Sequence, residues 1–355
     1  MSSGPVTIAL DAMGGDRAPA QIVEGALAWH ATAGGDRLLL VGDEAAVRAE
    51  VERQGVAPGT FDYVHAPERI GMGDAGAQSV RRKRRSSIAV CASLVKEGAA
   101  QAFVSAGNTG AVVAAAQLTW RRLPGVERPA IATVVPTDRG GCVLLDVGAN
   151  SDCKPSHLVQ FAVMGEVYAR HMLGRGEPRV GLLNIGEEST KGNELSQAAH
   201  QLLSASDLPF VGNVEGRDIF RGAADVVVCD GFTGNVVLKF SESIIELLGT
   251  LMRREVTRDL RSKLGALVLR PAFRRLVKEL DYSEYGGAPL LGVNGVCIIA
   301  HGSSSPKAVG NAIRVSAEWV HHRLNEAIVA ALSASRAPEL TGLEGGSVAS
   351  GGGNP

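Results

Sequence analysis

Aromatic side chains are scarce. Phe, Trp and Tyr make up 4% of the 355 residues, too few to read as platforms for stacking nucleic-acid bases. Net charge is nearly absent too. The 36 Lys and Arg against 37 Asp and Glu leave −1, so no global field draws the chain to nucleic acid or membrane. Cysteine pairing is unsupported: Cys91, Cys142, Cys153, Cys229 and Cys297 are odd in number, and none lies in a C-x-x-C. They read as reduced, mostly buried thiols, with neither disulfides nor a zinc site. No uncharged apolar run reaches the ~18 residues a spanning helix needs. Met1–Pro5 lacks the basic segment and apolar core of a signal peptide. A cytoplasmic location is the expectation.

What remains is the composition of an ordinary globular chain, 45% hydrophobic and 21% charged, with 44 glycines. Short apolar runs recur at Val6–Leu10, Leu38–Val41, Phe61–His65, Ala102–Val104, Ile131–Val135, Cys142–Leu145, Val180–Leu183, Phe210–Val214, Val226–Cys229 and Val296–Ala300. Helical spacing separates many of them, as over Ile22–Trp29, Ile88–Val95 and Pro155–Met172. Alternation of this kind predicts an α/β fold of three layers, with helices on both faces of a mostly parallel sheet.

Strand after strand ends in a loop of Gly, Asn, Asp, Ser or Lys. In open parallel sheets ligands bind outside the carboxyl ends of the strands, so these loops are expected to share one edge. The stretch Ser105-Ala-Gly-Asn-Thr-Gly-Ala111 joins a strand to a helix. A helix beginning at such a turn leaves N–H groups unpaired and carries partial positive charge, which suits phosphate. Ser105, Gly107, Asn108, Thr109 and Gly110 are the candidate anion site, with Asn108 or Thr109 as N-cap. Asp11, Gly14, Gly15 and Asp16 sit at the first strand end, Asp146 and Asn150 at a later one, and Asp230 at another. The acids either orient a ligand or cap turns; the glycines either approach a ligand or only make the turn. Lys191 is the one lysine of a small polar loop, Asn235 opens an apolar helix, and His301 ends the last strand. Their spacing does not suggest a metal.

Two basic stretches stand apart. Arg81–Arg85 precedes Ser86, which can cap the next helix and place positive charge beside a helix amino end. Residues 250–280 carry nine basic against three acidic residues among apolar ones. Arg253, Arg254, Arg258, Arg261, Leu267, Leu269 and Phe273 fit a basic amphipathic hairpin over about 240–282, which could grip an acidic partner, lie on anionic lipid or pack at a subunit interface. Residues 1–335 read as one α/β/α catalytic domain, and the Gly- and Ser-rich 336–355 as a disordered tail.

Seven motifs in order resemble the bacterial phosphate acyltransferase (acyl-ACP:phosphate transacylase) family: Ile8–Asp16, Val104–Ala111, Leu145–Asn150, Leu183–Glu188, Lys191–Asn193, Cys229–Val236 and Ala300–Ser304. The likeness runs from about Val6 to Leu332. It implies attack of inorganic phosphate on the thioester of a fatty acyl chain held by acyl carrier protein, giving acyl phosphate for glycerol-3-phosphate acyltransferase and phospholipid synthesis. It implies the three-layer fold of phosphotransacetylase and isopropylmalate dehydrogenase, a homodimer, peripheral contact with the inner face of the membrane, and no cofactor. Lys191, Asn235 and His301 are then the catalytic candidates. A phosphotransacetylase- or dehydrogenase-type enzyme on the same fold remains an alternative, though no convincing Gly-x-Gly-x-x-Gly supports a dehydrogenase. So does a non-catalytic membrane-surface scaffold.

Overall fold

The structure is a computed structural model that describes residues 4–280 and 282–335. The predicted tail, 336–355, lies outside the described residues. Eleven strands form one sheet among them. In chain order they are β1 (Thr7–Asp11), β2 (Arg37–Gly42), β3 (Asp62–His65), β4 (Ala102–Ser105), β5 (Ala130–Thr137), β6 (Gly140–Leu145), β7 (Val180–Leu183), β8 (Phe210–Val214), β9 (Val226–Val228), β10 (Ala288–Leu291) and β11 (Val296–Ile299). Their spatial order is β3-β2-β1-β4-β11-β10-β5-β6-β9-β7-β8.

Strands buried on both faces read as continuous apolar runs, and alternate residues feed two cores. Ile8, Leu10 and Val104 point into one, Ala9 and Phe103 into the other. The first core is closed by α1 (Ala20–His30), α6 (Pro155–Met172), α11 (Pro306–His321) and α12 (Leu324–Ala334), through side chains such as Val23, Phe161, Ile313 and Ile328. The second is closed by α4 (Ser87–Lys96) and α5 (Thr109–Trp120), with Ile88 and Val112. The α/β architecture of three layers stands as expected.

One expectation does not. The ladders β2–β1–β4–β11 and β6–β9–β7–β8 contain parallel pairs, as does β2–β3. Between them, β11–β10, β10–β5 and β5–β6 are all antiparallel. Three reversals turn the second block against the first, so the polar strand ends do not occupy a single rim. The loops after β4 and β11 instead meet those after β6 and β9 at the seam between the blocks. β10 escaped the sequence reading because it is four residues long and contains Pro289.

Polar caps start the helices that matter. Asp43, Ser86, Asn108, Asn193, Asp230 and Ser305 each accept from the backbone N–H three residues on. The 26-residue α9 (Gly231–Val256) runs on to a short turn and α10 (Leu260–Leu280). Leu260, Leu264, Leu267, Val268 and Leu269 on this second helix are exposed, and Phe273 is half-buried. No helix among the described residues is long and apolar enough to cross a membrane.

Candidate functional site

The loops after β1 and β4 are built against each other. Ser105 Oγ donates to Asp11 Oδ2 at 2.6 Å, and the Gly107 N–H donates to Ser105 Oγ at 3.0 Å. A Cβ at Gly14 would stand 2.7 Å from the Gly107 nitrogen, so only glycine allows the two loops to close. Asp16 N–H donates to Gly302 O at 2.8 Å, and Arg69 reaches the Gly15 carbonyl at 2.8 Å. Burial pushes the Asp11 carboxyl above its ordinary range, opposed by its hydrogen bonds from Ser105, Ser87 and Met13. Asp11 and Ser105 are both fully buried; they shape the loop rather than face a ligand.

Asn108 is the N-cap of α5. Its Oδ1 accepts from Ala111 N–H at 2.9 Å, and its Nδ2 donates to the carbonyls of Met72 and Asp74, each at 2.9 Å. That amide is fully engaged. Thr109 and Gly110 are exposed, and their N–H groups have no acceptor among the described residues. Both are solvent-facing donors of the 105–110 turn.

Asp146 is saturated in the same way as Asp11. Its Oδ1 accepts from the N–H groups of Ile131, Gly148 and Ala149. Its Oδ2 accepts from Asn150 N–H at 2.7 Å and Asn150 Nδ2 at 2.9 Å. Burial raises this carboxyl's pKa against those bonds. The other Asn150 Nδ2 proton goes to Pro129 O at 2.7 Å. Asp230 caps α9, accepting from Thr233 N–H at 2.9 Å and Thr233 Oγ1 at 2.7 Å. The start of α9 lies so close to the 146–150 loop that a Cβ at Gly234 would overlap the Asp146 carbonyl oxygen.

These scaffolds bring Thr109, Gly148, Asn235, Lys239 and His301 to the walls of one cavity of about 320 Å³. His301 Nδ1 lies 2.8 Å from Ser303 Oγ and accepts from Ser303 N–H at 3.3 Å. The neutral ring therefore carries its proton on Nε2. Lys239 Nζ pairs with Glu242 at 2.8 Å, and Glu242 also lines the cavity. Lys239 was not singled out from sequence, although it stands four residues beyond Asn235, on the same helical face. Equally unforeseen was the 69–76 loop, which holds Asn108.

Lys191 is placed elsewhere. It belongs to the loop between β7 and α7 (Glu194–Ser204) and lies 4.0 Å from Glu188. Its neighbours Gly192 and Asn193 line a second cavity of about 300 Å³, together with Asn184, Asp230 and Thr233. The structure thus unites Thr109, Asn235 and His301, and sets Lys191 on the far side of the α9 amino end. The four arginines of the 81–85 run are exposed, while Lys83 ties the 69–74 loop through Arg69 O and Asp74, each at 2.9 Å. Arg253, Arg254, Arg258 and Arg261 are exposed at the α9–α10 turn. All five cysteines are unpaired; burial pushes the Cys142 thiol up to about 12 and that of Cys153 to about 11.

The fold is that of the phosphotransacetylases. EutD phosphotransacetylase from Staphylococcus aureus superposes with a TM-score of 0.58 at 16% identity, over 88% of this chain and 94% of that one. A phosphotransacetylase from Streptococcus pyogenes gives 0.58 at 17%, over 93% and 94%. The family model described as "Fatty acid synthesis protein" matches residues 6–327. "Phosphate acyltransferase" of Geobacter sulfurreducens is 52% identical over 319 residues, 90% of this chain and 92% of that protein. That of Pelotomaculum thermopropionicum is 54% identical over 321 residues, 90% and 93%. The chain belongs to the phosphate acyltransferase family and is an enzyme.

Proposed function

We propose that this enzyme moves a fatty acyl group from the thioester of acyl carrier protein to inorganic phosphate. A phosphate oxygen attacks the thioester carbonyl carbon, and the tetrahedral intermediate expels the carrier's sulfur. That thiolate takes up a proton, leaving acyl phosphate and free carrier thiol. Phosphate is already a nucleophile, so no acyl-enzyme is required; the protein supplies position and charge stabilisation.

The observation that carries this reading is the shared cavity of Thr109, Asn235 and His301 in a chain about half identical to phosphate acyltransferases. The free N–H groups of Thr109 and Gly110, at the positive end of α5, suit phosphate. Ser105, Gly107 and Asn108 hold that turn in place. Lys239, once released from Glu242, neutralises the anion. Lys191 takes part only if its loop swings from Glu188 toward the α9 amino end. His301 Nε2–H and the Asn235 amide donate to the developing oxyanion, and His301 protonates the departing thiolate. Asp11, Gly14, Gly15, Asp16, Asp146, Asn150 and Asp230 hold the loops that present these groups.

The acidic carrier docks on exposed arginines in this reading, with Arg253, Arg254, Arg258 and Arg261 nearest the apolar end of the α9–α10 hairpin. Leu267, Leu269 and Phe273 add contact with the inner face of the membrane, where glycerol-3-phosphate acylation consumes the product. The working unit is a homodimer. The deciding experiment mixes acyl carrier thioester with phosphate and measures free thiol together with acyl phosphate trapped by hydroxylamine. Thiol release that does not depend on phosphate refutes the proposal.

A further inference from the structure

A second concave surface adjoins the catalytic cavity. It encloses about 350 Å³ between the first half of α9 and β5, β6 and α8 (Gly216–Phe220). Val135, Leu144, Ile219, Phe240, Ile244 and Leu248 are among its walls. Its polar members are few. Ser241 returns its hydroxyl to the Val237 carbonyl at 2.8 Å. Thr133 and Glu242 also line the catalytic cavity, as does Leu238. The two spaces therefore share a boundary, with the polar groups at the junction and apolar side chains beyond it. Phe240 and Leu248 stay 67% and 54% exposed. A contiguous apolar surface of this kind marks a binding site.

We propose that this groove seats the hydrocarbon chain of the acyl donor, with the thioester at the Thr133–Leu238–Glu242 junction. The assignment rests on the acyl-transfer reading above and names where its acyl group lies. The length agrees. At 1.5 Å per residue, α9 advances about 15 Å from Leu238 to Leu248. That is about one leaflet of a bilayer's ~30 Å hydrocarbon core, the depth filled by the acyl chains of a lipid. The direction agrees as well: Asn235 and Lys239 line the cavity at the reacting end, and Ile244 and Leu248 follow about one and a half and two and a half turns beyond Lys239.

Chain length is the variable that tests it. Butyryl, octanoyl, lauroyl and palmitoyl thioesters of pantetheine are compared as donors to phosphate, with Ile244→Trp and Leu248→Trp against the wild type and against Leu247→Trp. The first two fill the groove from half-exposed or exposed helix positions; Leu247 is exposed on the same helix and does not line it. Each methylene seated is worth about fourfold in kcat/KM. The palmitoyl-to-butyryl ratio should fall about tenfold or more in the groove variants and hold in Leu247→Trp. A ratio unchanged in both groove variants overturns the assignment while leaving acyl transfer intact. Uniform loss across all lengths with a change in oligomeric state identifies the surface as a contact between copies, and also overturns it. Absence of phosphate-dependent thiol release from the carrier-bound acyl thioester by the wild type removes the transfer reading, and the assignment with it.

Discussion

Ser105 and Asp11, 94 positions apart in the chain, share a buried hydrogen bond of 2.6 Å that locks the ends of two neighbouring strands. Ser105→Ala leaves a buried carboxylate short of a donor and frees Gly107 N–H. The expected cost is about 1–3 kcal/mol of stability, read from urea unfolding, with a rise in the KM for phosphate as the 105–110 turn loosens. A variant as stable as the wild type, with unchanged KM, would show that the bond does not hold the turn.

The two lysines can be told apart. Lys239 lines the cavity of Thr109, Asn235 and His301; Lys191 precedes Gly192 and Asn193, which line the neighbouring one. Lys239→Ala should lower kcat/KM for phosphate about a hundredfold, the scale of one lost electrostatic donor. Lys191→Ala should cost less than about tenfold. The reverse ranking, measured by thiol release, would move the phosphate toward the 184–193 loop.

Charge reversal at the hairpin separates docking from chemistry. Arg253→Glu with Arg254→Glu should raise the KM for acyl carrier protein, and the effect should shrink as salt is added. Small pantetheine thioesters should turn over as before. Unaltered carrier KM at every ionic strength would remove this surface from docking.

Two glycines of α9 should respond in opposite ways. Gly234→Ala drives a methyl group into the Asp146 carbonyl, which displaces the helix start and with it Asn235; activity should fall well over tenfold. Gly249 has open space around its Cβ position, so Gly249→Ala should stabilise the helix by up to about 1 kcal/mol. Thermal melts and turnover of the two variants check the contrast.

His157 gives a dependence on pH. Lys154 N–H donates to its Nδ1 at 3.1 Å, and its Nε2 lies 3.2 Å from Glu127. Burial lowers its pKa below 6.5, with Glu127 opposing. The folded state thus prefers the neutral ring. Its contribution is complete above the unfolded value and is lost as pH falls through the folded one, when a proton on Nδ1 ends the cap. The advantage of wild type over His157→Gln in urea should therefore shrink below about pH 6.5. A constant difference from pH 8 to pH 5 would exclude the mechanism.

The architecture and the family were legible because apolar runs and polar strand ends recur in order. The cap at Ser86 followed from residue type alone, and that of α5 was narrowed to Asn108 or Thr109, between which the hydrogen bond from Ala111 decides. Strand direction was not legible. A run such as Cys142–Leu145 is equally apolar whichever way it points. The reversal between β10 and β5 depends on a pairing far apart in sequence, whereas β5 and β6 form a local hairpin closed by Asp138 and Arg139, whose turn carries no Asn-Gly or Asp-Gly signal. The same limit applied to the site. Residue type marked Asp11, Asp146 and Asn108 as polar groups near a ligand, but it could not show that neighbouring N–H groups and carbonyls already engage them. Lys239 passed unnoticed because one basic residue in an amphipathic helix looks like any solvated one.

The strand order also bears on how the protein is made. β10 and β11, drawn from residues 288–299, occupy the middle of the sheet and join β4 to β5. Until the ribosome has delivered them, the sides of β4 and β5 that they will cover stay open to strands of other chains. Synthesis halted before Ala288 would yield two half-sheets with exposed backbone edges, and such products should precipitate or be degraded rather than accumulate as partly active enzyme.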